Sequence, residues 1–159
     1  MTTVRDLLRY LGALLLFGIG ALHLYEYFAE YYRVVPVIGI LFAINFAGAV
    51  LLGLALIAPL ESLPGLRSIP VAGRAPHALV AAGAIGFALG TIIGLLITEH
   101  GTLFGFHEYG YRTTIALALG LESGAAVVLA GFLALESRRP RRAAPESRPA
   151  GSVGRRPSG

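Results

Sequence analysis

The chain has 159 residues, 55% of them hydrophobic and only 14% charged, with no cysteine and a formal net charge of +4. A soluble domain of that length could not bury so much apolar surface, so the solvent is read as lipid. The absence of cysteine excludes disulfides, thiolate metal sites and cysteine nucleophiles.

The positive charge is local. From Ser137 onward seven arginines stand against Glu146 alone, whereas the first 136 residues hold six arginines and eight acids. All thirteen basic residues are arginine; beside so much Ala and Gly this points to a GC-rich coding bias rather than to bidentate chemistry.

A membrane-spanning helix takes about 20 mostly apolar residues. Four stretches meet that length, at roughly 8–29, 35–58, 76–98 and 113–135. The first is preceded by Arg5 and Arg9 and could be mistaken for a signal peptide. The apolar run continues past "GIGA", Gly18–Ala21, a poor cleavage site, so an uncleaved helix is expected. Pro36 and Pro76 fall near span starts, where a missing N–H costs nothing. Pro59 and Pro64 close the second span, and Pro59–Pro76 reads as a Pro- and Gly-punctuated loop.

The third span carries Ala78, Ala82, Gly86, Gly90 and Gly94 at intervals of four, a ridge without side chains on one helix face. Gly120 and Gly124 repeat the device on the fourth span. Lipid supplies no hydrophobic push between helices, so close backbone approach drives association. The ridge therefore predicts packing against another helix, either within a tight four-helix bundle or in a homodimer or larger membrane complex. A faint duplication also relates the two halves, with "AVLLGLAL" at Ala49–Leu56 resembling "AVVLAGFLAL" at Ala126–Leu135.

Direction follows from the arginines. Arg5, Arg9, Arg67, Arg74 and the run from Arg138 onward lie on one side, and only Arg33 and Arg112 on the other. Both termini are thus expected in the cytoplasm, with two short outer turns. Residues 137–159 lack periodicity and are rich in Pro, Arg, Ser and Gly, which predicts a disordered basic tail held by anionic lipid. No aromatic residues interleave its arginines, so nucleic acid is not expected as a partner.

With that direction, "HLYEYFAEYYR" (His23–Arg33) and "EHGTLFGFHEYGYR" (Glu99–Arg112) meet at the outer end. They carry His23, His100 and His107, Glu26, Glu30, Glu99 and Glu108, and six tyrosines, which read as an aromatic belt. His77 alone among the histidines lies on the inner side. His23, Glu26 and Glu30 share a helix face. At 1.5 Å per residue His23 lies about 20 Å from Arg9, and Glu122 about 15 Å from Arg112. Asn45 and Thr91 reach similar depths, so each helix contributes a polar residue to one interior layer. A carboxyl there is costly unless neutral, paired or hydrated, and a protonated Glu122 donating to Asn45 or His23 is the economical arrangement.

Three chemistries fit this set. One is a satisfied hydrogen-bond network with an ordinary polar rim. The second is a ligand cavity or proton pathway through His23, Glu26, Asn45, Glu122 and Arg112. The third is a metal site for Zn, Cu or Fe built from His23, Glu26, His100, His107 and Glu108, or a haem b clamped by His23 with His100 or His107. Phosphate loops, nucleophile elbows and zinc-protease helices are missing, which favours a non-enzymatic role.

The combination "GALHLYEYF", "IGILFAINFAGAVLLGLAL" and "HEYGYRTTIALALGLESGA" resembles small four-helix integral membrane proteins of high-GC bacteria, over about residues 8–135. That group has no assigned function, so the resemblance implies topology alone. DoxX-like proteins share the outline but not the motifs. The expectation is an all-α, polytopic protein of the bacterial inner membrane: a four-helix transmembrane domain over 1–136 and a tail over 137–159.

Overall fold

The computed structural model describes residues 3–63, 65, 75–107 and 112–138. Glu108, Tyr109, Tyr111, Arg67, Arg74 and the tail beyond Arg138 lie outside the described residues. The architecture is all-helical, with four helices long and apolar enough to cross a membrane.

Helix α1, Val4–Ala29, begins earlier than the apolar run because Thr3 and Asp6 form a capping box. The Thr3 hydroxyl accepts from the Asp6 N–H at 3.3 Å, and the Asp6 carboxylate accepts from the Thr3 N–H at 3.3 Å. Helices α2, Pro36–Ile57, and α3, Pro76–His100, each start on a proline. Helix α4, Thr113–Ser137, follows Arg112. A 3-10 turn at Tyr32–Val34 joins α1 to α2.

Helix α1 packs on both α2 and α4, and α3 packs on α4; the α2–α3 seam is the least closed of the four. Two halves of the bundle differ sharply. Towards the two chain ends the interior is filled by Leu16, Ala49, Leu56, Ala84, Leu129 and Phe132, among others. We call this the terminal end. Towards the 29–36 and 100–113 connections, the turn end, the helices diverge around a cavity.

The glycines explain the difference and bear on the packing expected within the bundle. A Cβ built on Gly86, Gly90, Gly94 or Gly120 meets no atom within 4 Å, so among the described residues no helix closely approaches these glycines. Gly124 makes only ordinary contact, with Leu15 at 3.8 Å. Close approach occurs elsewhere. A Cβ on Gly12 would collide with Leu129 Cδ2, on Gly53 it would sit 2.7 Å from Phe17, and on Gly48 2.9 Å from Phe87. These glycines receive side chains from neighbouring helices, whereas the regular ridge lines empty space.

The terminal end is tied by polar contacts. Arg5 bridges to Glu136 at 2.9 Å, joining the start of α1 to the end of α4. His77, read from sequence as an isolated inner-side residue, is buried and anchors the α2–α3 connection. Its Nδ1 pairs with Glu61 Oε1 at 2.7 Å, and its Nε2–H donates to the Ala58 carbonyl at 2.9 Å. Arg9 Nη1 is 3.2 and 3.0 Å from the two ring nitrogens. An in-plane approach that near to both would collide with a ring carbon, so the guanidinium lies over the ring face.

Partial burial would raise the Glu61 carboxyl, but a backbone hydrogen bond, the His77 contact and the His77 and Arg9 charges outweigh it and hold it below its ordinary 4.5. A depressed carboxyl contributes stability above its unfolded value and loses it as pH falls through the folded one. Amide exchange at Leu60–Leu63, corrected for intrinsic rates, should therefore be protected alike at neutral and mildly acidic pH. Protection should then fall in stronger acid, and Glu61→Gln should abolish that pH dependence.

Candidate functional site

The turn-end half encloses a cavity of about 510 Å³. Its walls include His23 and Glu26 from α1, Asn45 from α2, Thr91 and Thr98 from α3 and Glu122 from α4. The polar layer expected from helical depth is thus assembled, one element at a time. On α1 the three-residue step between His23 and Glu26 keeps both on the inward face, while the adjacent Leu24 and Tyr25 are exposed.

The His23 Nδ1–H donates to the Ile19 carbonyl one turn earlier, at 2.9 Å. That bond leaves the Nε2 lone pair directed across the bundle, 3.9 Å from Glu122 Oε1. The gap is too long for a direct hydrogen bond. The Thr91 hydroxyl lies beside the Glu122 carboxyl and itself donates to the Ala88 carbonyl at 2.8 Å. Glu122 is 2% exposed, and its Oε2 has no hydrogen-bond partner among the described residues. Glu26, 6% exposed, is in the same condition at Oε1. Asn45 lines the same cavity, but the neighbours of Glu122 are His23 and Thr91.

Arg112, the residue preceding α4, ties the start of α4 to the end of α1. Its Nη1 donates to Glu30 Oε2 at 2.8 Å, its Nη2 contacts the Tyr32 hydroxyl, and Nη2 stands 3.9 Å from Glu26 Oε2. The strongest of these contacts lies outside the cavity, so Arg112 offsets Glu26 only in part and does not reach Glu122.

An aromatic wall was not legible from sequence. Tyr31 adopts φ 60, a left-handed conformation that turns the chain so that Tyr32 points inward. Tyr32 is buried and stacks on Phe42 at 4.6 Å and 16°, with Phe106 edge-on at 5.6 Å and 81°. It is part of the site rather than of the interfacial belt, whereas Tyr25 and Tyr31 are exposed as a belt requires. Phe42 also meets the His23 ring at 5.4 Å. Leu103–Phe106 close a tight turn, with two reciprocal backbone hydrogen bonds of 2.8 and 2.9 Å and positive φ at Phe104 and Gly105, the geometry of a type I′ turn. Its residues Leu103, Phe104 and Phe106 cover the turn end of the cavity.

Of the proposed metal ligands, the described histidines are not grouped with one another, and only His23 and Glu26 share the cavity. His100 is exposed and donates from Nδ1 to the Leu96 carbonyl at 3.0 Å, and His107 bonds the Gly101 carbonyl. Neither lines the cavity with His23 and Glu26, and Glu108 lies outside the described residues. Among the described residues no three His, Cys, Asp or Glu side chains are grouped to hold a metal ion. The cause is local: His23 and His100 each turn back on the carbonyl four residues earlier, which fixes their rings to their own helices.

Comparison with protein-family models, with curated proteins and with solved structures finds no match.

Proposed function

We propose that this is a polytopic protein of the bacterial inner membrane, both termini cytoplasmic, with a non-enzymatic role as a small ligand-binding or transport-type protein. The observation that carries the reading is the 510 Å³ cavity, lined by two buried carboxyls, each with one oxygen that has no hydrogen-bond partner among the described residues. Its volume falls in the ~300–1,000 Å³ range of small-molecule sites. A bundle needing only polar glue would close such groups onto partners, because an unsatisfied carboxyl in a low-dielectric interior costs several kcal/mol by general estimates. The arginine asymmetry supports the orientation, and the basic tail suits anionic headgroups on the cytoplasmic face.

Protein reconstituted in lipid should show a carboxyl C=O infrared band that responds to bulk pH and disappears in Glu122→Gln, while the helical amide band is unchanged. His23→Ala should shift that band, since the imidazole is its nearest charged or basic neighbour among the described residues. A carboxyl signal indifferent to pH, together with unaltered behaviour of both variants, would reduce the polar layer to a structural network.

A further inference from the structure

We propose that the cavity is a binding site for a lipophilic monocation, an ammonium or similar cation on an apolar body, admitted from the bilayer between α2 and α3. The inference deepens the ligand-binding reading above and rests on it.

Charge decides the sign of the ligand. Two carboxyls line the cavity, and among its described lining residues there is no arginine; His23 is the sole basic group. Glu122 has no cationic side chain in ion-pair range among the described residues except, when protonated, His23 at 3.9 Å. Glu26 shares Arg112 with Glu30. An anion entering here would face Glu122 and a Glu26 that Arg112 offsets only in part, whereas a cation would supply the charge that Glu122 lacks.

The walls suit the same ligand. Tyr32, Phe42, Phe87, Phe104 and Phe106 line the same cavity as the acidic groups, and the Tyr32 ring, stacked on Phe42, already has the Arg112 guanidinium 5.9 Å from its centroid. Ring faces attract cations electrostatically, by about 0.5–2 kcal/mol each when the contact is desolvated. Carboxylate plus aromatic wall is the combination that distinguishes a soft organic cation from a hydrated metal ion, which would keep its oxygen shell. Most of the remaining lining is aliphatic, so the ligand body must be apolar as well.

The route is set by the glycines. Gly86, Gly90 and Gly94 line the cavity while offering open space where a side chain would be. Gly86 and Gly90 are exposed, and so is Ile44 on the opposing helix at 58%. The cavity thus opens sideways along the α2–α3 seam. Towards the terminal end the seam shuts where the Phe87 ring lies against Gly48. A guest reaching this opening comes from the acyl-chain region, which selects for lipid solubility before charge is tested.

The experiment uses the full chain in zwitterionic-lipid nanodiscs and two ions of one shape and opposite charge, tetraphenylphosphonium and tetraphenylborate. Saturable phosphonium binding is expected, weakened about tenfold or more by Glu122→Gln, as removal of an uncompensated counter-charge in a desolvated site implies. The borate should show no saturable binding. Gly90→Leu, which fills the opening, should block the phosphonium and leave the Glu122 infrared band titrating. Equal binding of both ions, or a Glu122→Gln variant that binds as well as the parent, would overturn the assignment. Binding of neither ion with the carboxyl band still titrating would remove the cation assignment and leave the proton-pathway form of the proposed function standing. Loss of both signals would remove the two together.

Discussion

Phe132→Ala is expected to be the most destabilising single truncation in the bundle, at about 3 kcal/mol, the low end for a buried aromatic. Phe132 is 2% exposed and belongs to the packed cluster that includes Leu16, Leu56 and Leu129. In lipid the solvent is as apolar as the side chain, so the hydrophobic driving force largely drops out. What remains is dispersion: the atoms around Phe132 lose their contacts and gain a void that acyl chains cannot enter. Reversible unfolding in mixed micelles, followed by helicity, measures the effect. Ile44→Ala, at a position 58% exposed beside the cavity, is the control and should cost well under ~1 kcal/mol. Equal losses for the two variants would refute the division into a packed and an open half.

The second large effect is expected from one methyl group. In Gly39→Ala the new Cβ would lie 2.9 Å from the Tyr32 carbonyl oxygen and 3.1 Å from Arg33 Cα. Both are backbone atoms, so no rotamer change relieves the contact, and the 3-10 turn must move. Overpacking of this kind costs about 1–3 kcal/mol. The displaced turn carries Tyr32 away from Phe42, so the near-ultraviolet aromatic dichroism should weaken and phosphonium binding should fall with it. Gly90→Ala is the counterpart. Its Cβ meets nothing, and alanine is favoured over glycine in a helix by about 0.5–1 kcal/mol, so it should be neutral or slightly stabilising. A destabilised Gly90→Ala variant would instead mean that something outside this chain packs on the ridge.

These two substitutions show where sequence reasoning succeeds and where it stops. Helix number and approximate limits are legible because an apolar run of spanning length is a local property, and Pro36 and Pro76 mark their own starts. The early start of α1 was also encoded, in the Thr3–Asp6 pair, although an apolar-run criterion passes over it. The depth of His23, Asn45, Thr91 and Glu122 follows from a fixed rise per residue, and all four do line one cavity.

Contact partners are another matter. A stripe of glycines at Gly86, Gly90 and Gly94 states that one face is bare, but bareness serves a helix crossing and an empty cavity equally well. Which one forms depends on whether α2 can approach, and α2 is held by its packing on α1 and by the Phe87 ring against Gly48. Likewise, three histidines near one end suggest a metal set only until their rings are oriented. The i−4 carbonyl bonds of His23 and His100 orient them separately.

By itself, then, the sequence determined four helices long and apolar enough to span a membrane, the register of their polar residues and the gathering of polar groups at one end, because each depends on spacing along the chain. Only the tertiary structure decided that the bundle closes at the terminal end and opens at the other, that Tyr32 and Phe42 form a wall, and that Glu122 faces His23 across a gap. Those outcomes depend on which side chain fills which void between helices far apart in sequence, a competition among packing arrangements of similar energy that no local pattern records.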